Sequence, residues 1–457
     1  MYRYLLLLLL SIFSAQSPGL AQNDNYLRNY ISAGLKNNLA LQSSRENLKT
    51  YDARLGQALS MFMPRLDAST RYTRAGGGRS FVFPLGSMMN PLYELAGLPT
   101  RFKDEEVPFL RTEEHDTKLE VIQPVFNLAI WNNYAMQNKR SDFGRFEYKT
   151  SELGTIYSVK DAYYNYAKCA QLVNIRTYAL VLAMGALQTS KSLYQAEKSP
   201  KTDVLRAEVT ASQMKQELLN SRNMLKLAAN AFNNLINQEP SSHIQYDTLS
   251  MEDLLHPDLI KSFKPAMTQE EALNMGLNSR PELKQLEYGI ESISSARSAI
   301  TADYYPNLSL VFDYGWQGEK YDINTKNDYW QLHTMIKWNL FAGFETNLKS
   351  QELEAQMSSM NLARESAKQL IKMDVSNNYL SLISALEQFE TAKIAYQSAN
   401  ENFNLNSLKY NEGMNNFITL LDAETALNLS REQLAISYYD ILSSKAKLDK
   451  SLGVFEY

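Results

Sequence analysis

The side chains of this sequence that could do chemistry are its histidines, its one cysteine and its paired acidic residues. Metal sites and catalytic centres need such groups at fixed, short spacings. No nucleophile elbow, dinucleotide-binding fingerprint or zinc motif occurs, and the adjacent acids Glu113–Glu114 and Glu270–Glu271 are typical of solvated surfaces. The histidines are scattered without ligand spacing: His115, His243, His256 and His333. We therefore expect no enzyme, no metal site and no cofactor.

A run of three glycines, Gly76–Gly77–Gly78, could in principle cradle a phosphate. A phosphate-binding loop also needs a following Lys-Ser/Thr and a βα unit, and neither is present. The glycines instead open a segment, residues 76–113, that separates two predicted strands. We expect a long extracellular loop there, either a plug or lid of an outer mouth or a flexible surface loop.

Composition and the first residues place the chain outside the cytoplasm. The formal charge is −4, and no block of Lys and Arg supports nucleic-acid binding. Arg3, the apolar run from Leu5 to Phe13 and small residues up to Ala21 predict a signal peptide over residues 1–21. No later run of 18 apolar residues occurs, so we expect no membrane-spanning helix. The single cysteine, Cys169, excludes an intramolecular disulfide.

The secondary-structure elements that must position any site occur twice along the chain. The segment from Gly34 to Pro64 has the same length as the segment from Gly276 to Pro306. Tyr194 precedes Leu-Arg-Ala-Glu by the same distance as Tyr410 precedes Leu-Asp-Ala-Glu. We predict two repeats, residues 22–236 and 267–457, joined by a Pro-rich connector, residues 237–266, at an equatorial position.

Each repeat contains two predicted strands with an apolar face and a polar face. After Pro306, apolar residues alternate from Leu308 to Trp316, and a second alternating run extends from Trp330 to Leu340. Weaker alternation follows Pro64, from Leu66 to Tyr72, and recurs from Thr117 to Val121. Strands of this length suit an outer-membrane barrel, with aromatic girdle residues at the membrane interfaces: Tyr314, Trp316, Trp330 and Trp338.

Four strands cannot close a barrel, and an open edge in lipid leaves backbone groups unpaired. Three chains would supply twelve strands and a water-filled bore, whereas the eight strands of two chains leave an interior filled by side chains. A soluble sandwich with one wet face is the alternative interpretation of the strands. Nothing in the remaining chain supplies its second sheet.

Long helices with a seven-residue repeat make up most of the rest. The last helix carries Leu420, Leu427, Leu434, Ile441 and Leu448, and the preceding one carries Leu382, Phe389, Tyr396 and Phe403. Strict heptads predict coiled-coil packing of nearly antiparallel helices. A helix over 347–412 would be about 100 Å long.

The turn between these two helices resembles that of the outer membrane efflux protein (TolC) family, and the resemblance covers both repeats. The family pattern is Tyr-x-x-Gly, an Arg two residues after the Gly, and acids six and nine residues after it. Tyr410, Gly413 and Asp422 match that pattern. Asn415 stands in the place of the Arg and Thr419 in the place of the first acid.

The resemblance implies a homotrimer with a twelve-stranded barrel and a helical tunnel closed at its periplasmic end. It implies a gate formed by Asp203, Tyr410, Thr419 and Asp422, with a Tyr410–Asp203 link. Three Asp422 side chains at an axis would favour cations and raise one another's pKa, although acids also suit the first turn of a helix. It further implies that the tips contact an adaptor through Glu197, where the family has Gly, and through Ser199, Gly413 and Asn415.

The sequence therefore predicts a mainly α chain with a small β part: long antiparallel coiled-coil hairpins and four strands that complete a barrel in a trimer. We expect a passive outer-membrane exit duct of a tripartite efflux pump or a type I secretion system. Its partners would be a periplasmic adaptor, an inner-membrane transporter and outer-membrane lipid, with no nucleic acid. The alternative is a periplasmic coiled-coil adaptor or structural protein without a barrel.

Overall fold

The computed structural model describes residues 23–412 and 414–455, so the predicted signal peptide and Gly413 lie outside the described residues. The first half of the chain contains α1 (Asn23–Asn37), α2 (Leu39–Ser60), β1 (Arg65–Arg74), β2 (Ser80–Phe83), α3 (Leu85–Leu95), β3 (Glu105–Pro108), β4 (Glu113–Phe126), α4 (Leu128–Gln195) and α5 (Lys201–Leu235). The second half contains α6 (Met251–Leu255), α7 (Gln269–Ser279), α8 (Pro281–Thr301), β5 (Asn307–Gly318), β6 (Asp328–Lys337), α9 (Glu345–Asn411) and α10 (Phe417–Ser451), with short 3-10 turns at Lys261–Phe263 and Ala302–Tyr304.

Contacts divide the chain into two compact units. One comprises Tyr51–Arg140 and Ile290–Ser358 and holds all the strands. The other comprises the described residues up to Thr50, Ser141–Gly289 and the described residues from Ser359 onward, and it holds most of the helical residues. The predicted class, mainly helical with a few antiparallel strands, is confirmed.

The four predicted strands form one antiparallel sheet in the order β1-β4-β5-β6. The register places Ala68 opposite Leu119, Leu119 opposite Tyr314, and Tyr314 opposite Trp330. Since side chains alternate between the two faces of a strand, this row belongs to one face throughout. The period-two alternation of the sequence is therefore the alternation of the sheet itself.

The segment 76–113 is not a structureless loop, and in that respect the sequence prediction was incomplete. It folds as a β2–β3 hairpin with Phe81 opposite Val107, and as the short helix α3. Ser87 at the start of α3 donates to Asp104 from its backbone N (2.9 Å) and from Oγ (2.9 Å). Alternation is weak here because the strands are only four residues long and exposed on both faces.

The long helices pack along the predicted heptad seams. In α10, Leu420, Leu427, Leu434, Ile441 and Leu448 are buried, and so are Leu382, Phe389 and Tyr396 in α9. Much of this seam lies in one hydrophobic cluster with residues of α4 and of the segment that follows α5. The heptad positions of α9 and α10 thus correctly predicted residues of the hydrophobic core of the helical unit.

Two glycines allow the short helices to approach the long ones closely. A Cβ added at Gly34 in α1 would lie 2.7 Å from Cγ2 of Val159 in α4. A Cβ added at Gly276 in α7 would lie 2.7 Å from Cγ2 of Val375 in α9. A larger residue at either position would force the helices apart.

Between α5 and α7, residues 237–266 contain only α6 and one 3-10 turn. Among the described helices, α4 is long and apolar enough to cross a membrane by length and composition, with a window of mean hydropathy 1.3 that is 28% buried. Length and composition alone do not make α4 a membrane span, since the core helix of a soluble protein meets the same criterion, and the expectation of no membrane-spanning helix stays a prediction. The apolar stretch also supplies buried coiled-coil residues, among them Ile175 and Ala179. Cys169 in this helix is a half-buried free thiol.

Candidate functional site

The four-stranded sheet exposes its apolar face. Phe312 is 40% exposed, Leu332 60% and Ile336 70%, and each faces the same side as Tyr314. Such a row in water would be an extended apolar patch of the kind that monomeric soluble proteins avoid. The face therefore requires an apolar partner.

The opposite face of the same strands carries the charges. Lys118 Nζ lies 3.0 Å from Asp313 Oδ2, and this ion pair joins β4 to β5. The same Nζ lies 2.7 Å from Glu120 Oε2 within β4. Asp313 is only 5% exposed. The sheet thus carries exposed apolar side chains on one face and charged side chains on the other.

The predicted girdle residues lie at two levels of the sheet. Tyr314, Trp316 and Trp330 lie near the turn between β5 and β6, where the rings of Tyr314 and Trp316 meet edge-on with centroids 5.4 Å apart. Trp338 follows the other end of β6, and its Nε1 donates to the Tyr304 carbonyl at 3.0 Å. The two levels are separated by about 26 Å of strand, close to the height of the apolar band of an outer-membrane barrel.

The turn between α4 and α5 is closed by local backbone bonds. Lys198 N donates to Leu193 O (2.8 Å), which holds Glu197 at φ 58 in the left-handed conformation that Gly prefers. Glu197 therefore has a backbone conformation that glycine adopts more readily. Ser199 Oγ donates to Asp203 Oδ2 at 2.8 Å across the start of α5.

Tyr410 is the centre of a small core beneath the turn between α9 and α10. The residue is 2% exposed and packs with Ala207, Phe417 and Leu420. Its hydroxyl lies 2.9 Å from Ser190 Oγ in α4. Burial raises the pKa of Tyr410, the hydrogen bond with Ser190 partly offsets that rise, and the negative charge of Asp203 makes a smaller upward contribution.

The Tyr410–Asp203 link implied by the resemblance is therefore not the bond that the chain makes. The Tyr410 hydroxyl pairs with Ser190, and the Asp203 carboxylate pairs with Ser199. Asp203 still lies close enough for its negative charge to affect the pKa of the Tyr410 hydroxyl. Ser190 had no signal in the sequence, because it is one of many small residues of α4.

The second turn is held by asparagines. Asn416 caps α10 by accepting hydrogen bonds from Thr419 N (2.9 Å) and Thr419 Oγ1 (2.8 Å). Asn415, in the place of the family arginine, donates to Asn406 at 2.8 Å. The predicted Thr419 is thus part of a helix cap, and Gly413 lies outside the described residues.

The two acids of the Leu-Asp-Ala-Glu segment have opposite environments. Asp422 is exposed on α10, and its side chain forms no hydrogen bond or ion pair with another residue of 23–412 or 414–455. Glu424 is 4% exposed, its Oε1 is buried without a hydrogen-bond partner, and burial raises its pKa to about 7. The sequence analysis selected Asp422 and missed Glu424, since only the packed helices reveal which acid faces inward.

Metal chemistry has no support in the part of the chain that the structure describes. No group of three or more His, Cys, Asp or Glu side chains there could hold a metal ion. The residues gathered at the turns are hydroxyls, amides and isolated carboxylates. Such side chains can cap helix ends, form hydrogen bonds between helices and place negative charge at the protein surface.

A sheet with an uncovered apolar face, combined with two pairs of very long antiparallel helices, defines a fold shared with outer-membrane channel proteins. The solved outer membrane protein VceC from Vibrio cholerae superposes with a TM-score of 0.75 at 16% identity, covering 95% of this chain and 98% of that one. The Campylobacter jejuni CmeC outer membrane channel gives 0.74 at 14% identity, covering 94% and 85%. At these identities the likeness establishes the fold.

The chain belongs to the outer membrane efflux protein family, whose model matches residues 30–238 and 272–454. It is 19% identical to the outer membrane protein TolC of Salmonella enteritidis over 443 residues, which is 95% of this chain and 83% of that protein. The family resemblance expected from the sequence is thereby confirmed.

Proposed function

We propose that the protein is an outer-membrane exit duct, through which solutes cross the periplasm and the outer membrane passively. The observation that carries this proposal is the outward apolar face of the β1-β4-β5-β6 sheet, backed by charges on the other face. Lipid is the apolar partner that such a face fits, and a water-filled bore fits the charges. Membership of the outer membrane efflux family supports this location, in a Gram-negative bacterium.

The open edges of the sheet support a homotrimer. β1 and β6 are each paired on one side only within the sheet. Exposed edges cannot persist in the hydrocarbon of a bilayer, because unpaired backbone groups cost several kcal/mol each. Three chains joined β1 to β6 would make a closed barrel of twelve strands.

The order of elements supports two repeats. α4 and α5 have 68 and 35 residues, and α9 and α10 have 67 and 35. We propose repeats over 22–236 and 267–457, an equatorial connector over 237–266, and a signal peptide over 1–21. The hairpins of α4–α5 and α9–α10 would line a tunnel in the periplasm.

The helical turns are the proposed functional ends of the duct. Asp203, Tyr410, Thr419 and Asp422 would form the periplasmic gate. A periplasmic adaptor would contact Glu197, Ser199, Gly413 and Asn415, and an inner-membrane transporter of an efflux pump or a type I secretion system would supply the energy. The proposal includes no enzymatic activity.

The first test is the mass of the protein extracted by detergent from outer membranes, measured by light scattering with the detergent contribution subtracted. A value near three chains is expected, because only a closed barrel satisfies the sheet edges. A monomer that is soluble without detergent would overturn the proposal. That result would favour a periplasmic coiled-coil adaptor or structural protein.

A further inference from the structure

A cavity of about 390 Å³ lies between α4, α10 and the segment that follows α5, all within the helical unit. Its volume is in the range of about 300–1,000 Å³ that is typical of small-molecule sites. Leucines form part of its wall, and five aromatic side chains form most of the rest: Tyr163, Tyr164, Phe263, Tyr438 and Tyr439.

One charged group, Asp247, lines this cavity among the described residues. Its Oδ2 is buried and has no hydrogen-bond partner. No Lys, Arg or His of the described chain lines the cavity to balance it. Asp247 as a whole is half-buried, but its Oδ2 is withdrawn from water without a hydrogen bond, so a ligand that brings a positive charge to this oxygen would gain by filling the space.

The aromatic rings add a second reason for a cation. The faces of tyrosine rings carry negative electrostatic potential and attract ammonium groups. The adjacent rings of Tyr438 and Tyr439 meet edge-on with centroids 5.4 Å apart, and Tyr163 and Tyr164 with centroids 5.9 Å apart. Burial raises the pKa of Tyr438 to about 12, so its ring remains a neutral wall at physiological pH.

We propose that this cavity is a binding site for a small organic ammonium ion, whose charged head meets Asp247 and the tyrosine rings. The apolar body of the ligand would contact the leucines of the wall. A metal ion is a poor fit, because one carboxylate cannot supply the six or more oxygen ligands of a hard cation. A neutral ligand would leave Asp247 unpaired, and an anion would be repelled.

The site does not depend on the proposed assembly, because the residues that line the cavity belong to one chain and none of them lies at either helical turn. A failed trimer test would not remove it. Conversely, loss of ammonium binding would leave the trimer and the barrel unaffected.

The charge requirement can be tested on the full-length protein in detergent, without any variant. Choline and 3,3-dimethylbutan-1-ol have the same shape, but only choline carries a charge. Ligand-observed NMR should show saturable binding of choline and none of the alcohol. Equal binding of the two, or binding of neither, would overturn the proposal.

Variants then assign the groups, with benzyltrimethylammonium as the probe in calorimetry. Asp247→Asn keeps the shape and removes the charge, and we expect affinity to fall at least about tenfold. Tyr438→Leu should weaken binding about three- to tenfold, whereas Tyr438→Phe, which keeps the ring, should weaken it less than about twofold.

Glu424→Gln is the matched control, because Glu424 also has one buried carboxylate oxygen without a hydrogen-bond partner but lines a different cavity without a tyrosine wall. Its affinity for the probe should equal that of the unmodified protein. If Asp247→Asn binds as tightly as this control, Asp247 is not the counter-charge and the proposal fails. If the Tyr438→Leu protein does not fold, the affinities of Asp247→Asn and Tyr438→Phe for the probe are compared instead. That comparison also decides whether Asp247 is the counter-charge.

Discussion

The hydroxyl of Tyr410 lies 2.9 Å from Oγ of Ser190 and joins α9 to α4 beneath the two helical turns. Ser190 Oγ also donates to the Ala186 carbonyl at 2.9 Å, so this serine links Tyr410 to the backbone of α4. Both side chains are buried. This bond occupies the position where the family resemblance had implied a bond to Asp203.

Removing this bond should loosen the turns. Tyr410→Phe and Ser190→Ala should each lower the local free energy of opening by about 1 kcal/mol. The double variant should cost little more than either alone, because one interaction is lost in all three proteins. Hydrogen exchange of amides near the turns measures this opening. In cells, Tyr410→Phe should increase susceptibility to large antibiotics.

Asp203→Asn is the control for that pair. Since Asp203 bonds to Ser199 and not to Tyr410, its effect should add to that of Tyr410→Phe. Strong non-additivity between Tyr410 and Asp203 would show that the assembled protein uses the family link after all.

Asp422 should set the ion preference of the channel. Three exposed carboxylates brought together at an axis would attract cations, so Asp422→Ala should reduce cation selectivity in planar-bilayer recordings. Asp440→Ala, on the same helix but paired with Lys168 at 3.5 Å, should leave selectivity unchanged. Unaltered selectivity in Asp422→Ala would remove the acid ring from the proposed gate.

Glu424 should make stability depend on pH. Because burial raises its pKa from 4.5 to about 7, the folded state holds a proton that the unfolded state releases, and stability falls as the pH rises from about 4.5 to about 7. Glu424→Gln stays neutral, so thermal unfolding at pH 8 should show a gain of up to about 3 kcal/mol. Glu208→Gln, the exposed counterpart in α5, removes only a surface ion pair with Lys191 (3.4 Å) and should change the stability and its pH dependence by less than about 1 kcal/mol.

Glu197 offers a stabilising change. A non-glycine residue at φ 58 carries a steric cost of about 1–2 kcal/mol, so Glu197→Gly should strengthen the end of α4 by about 1 kcal/mol. Asn237 has a similar backbone, with φ 54, and asparagine tolerates it better. Asn237→Gly should therefore gain less in the same unfolding measurement, and equal gains would show that the strain at Glu197 is not the cause.

The lipid-facing role of the sheet can be tested at two neighbouring positions of β6. Leu332→Lys would place a charge on the outward apolar face at about 2–4 kcal/mol, so the amount of protein in outer membranes should fall sharply. Gln331→Lys changes the other face, opposite Asp313, and should be tolerated. Equal recovery of both variants from the membrane fraction would argue against lipid contact.

The sequence by itself determined the features that repeat locally. Period-two alternation identified β1, β4, β5 and β6, and the seven-residue spacing from Leu420 to Leu448 identified the buried seam of α10. Each pattern involves residues close together in the sequence, because the geometry of a strand or a helix sets the period at which side chains return to the same face. The short strands β2 and β3 carried too few residues for such a pattern.

Only the tertiary structure decided which side chains meet. Tyr410 and Ser190 are far apart in sequence, and no local period relates them. Asp247 and Tyr438 come together in one cavity for the same reason, and Glu424 differs from Asp422 only in the face of α10 that it occupies. Such pairings depend on how elements pack across long stretches of chain, where one turn of a helix decides whether a carboxyl group meets water or the core.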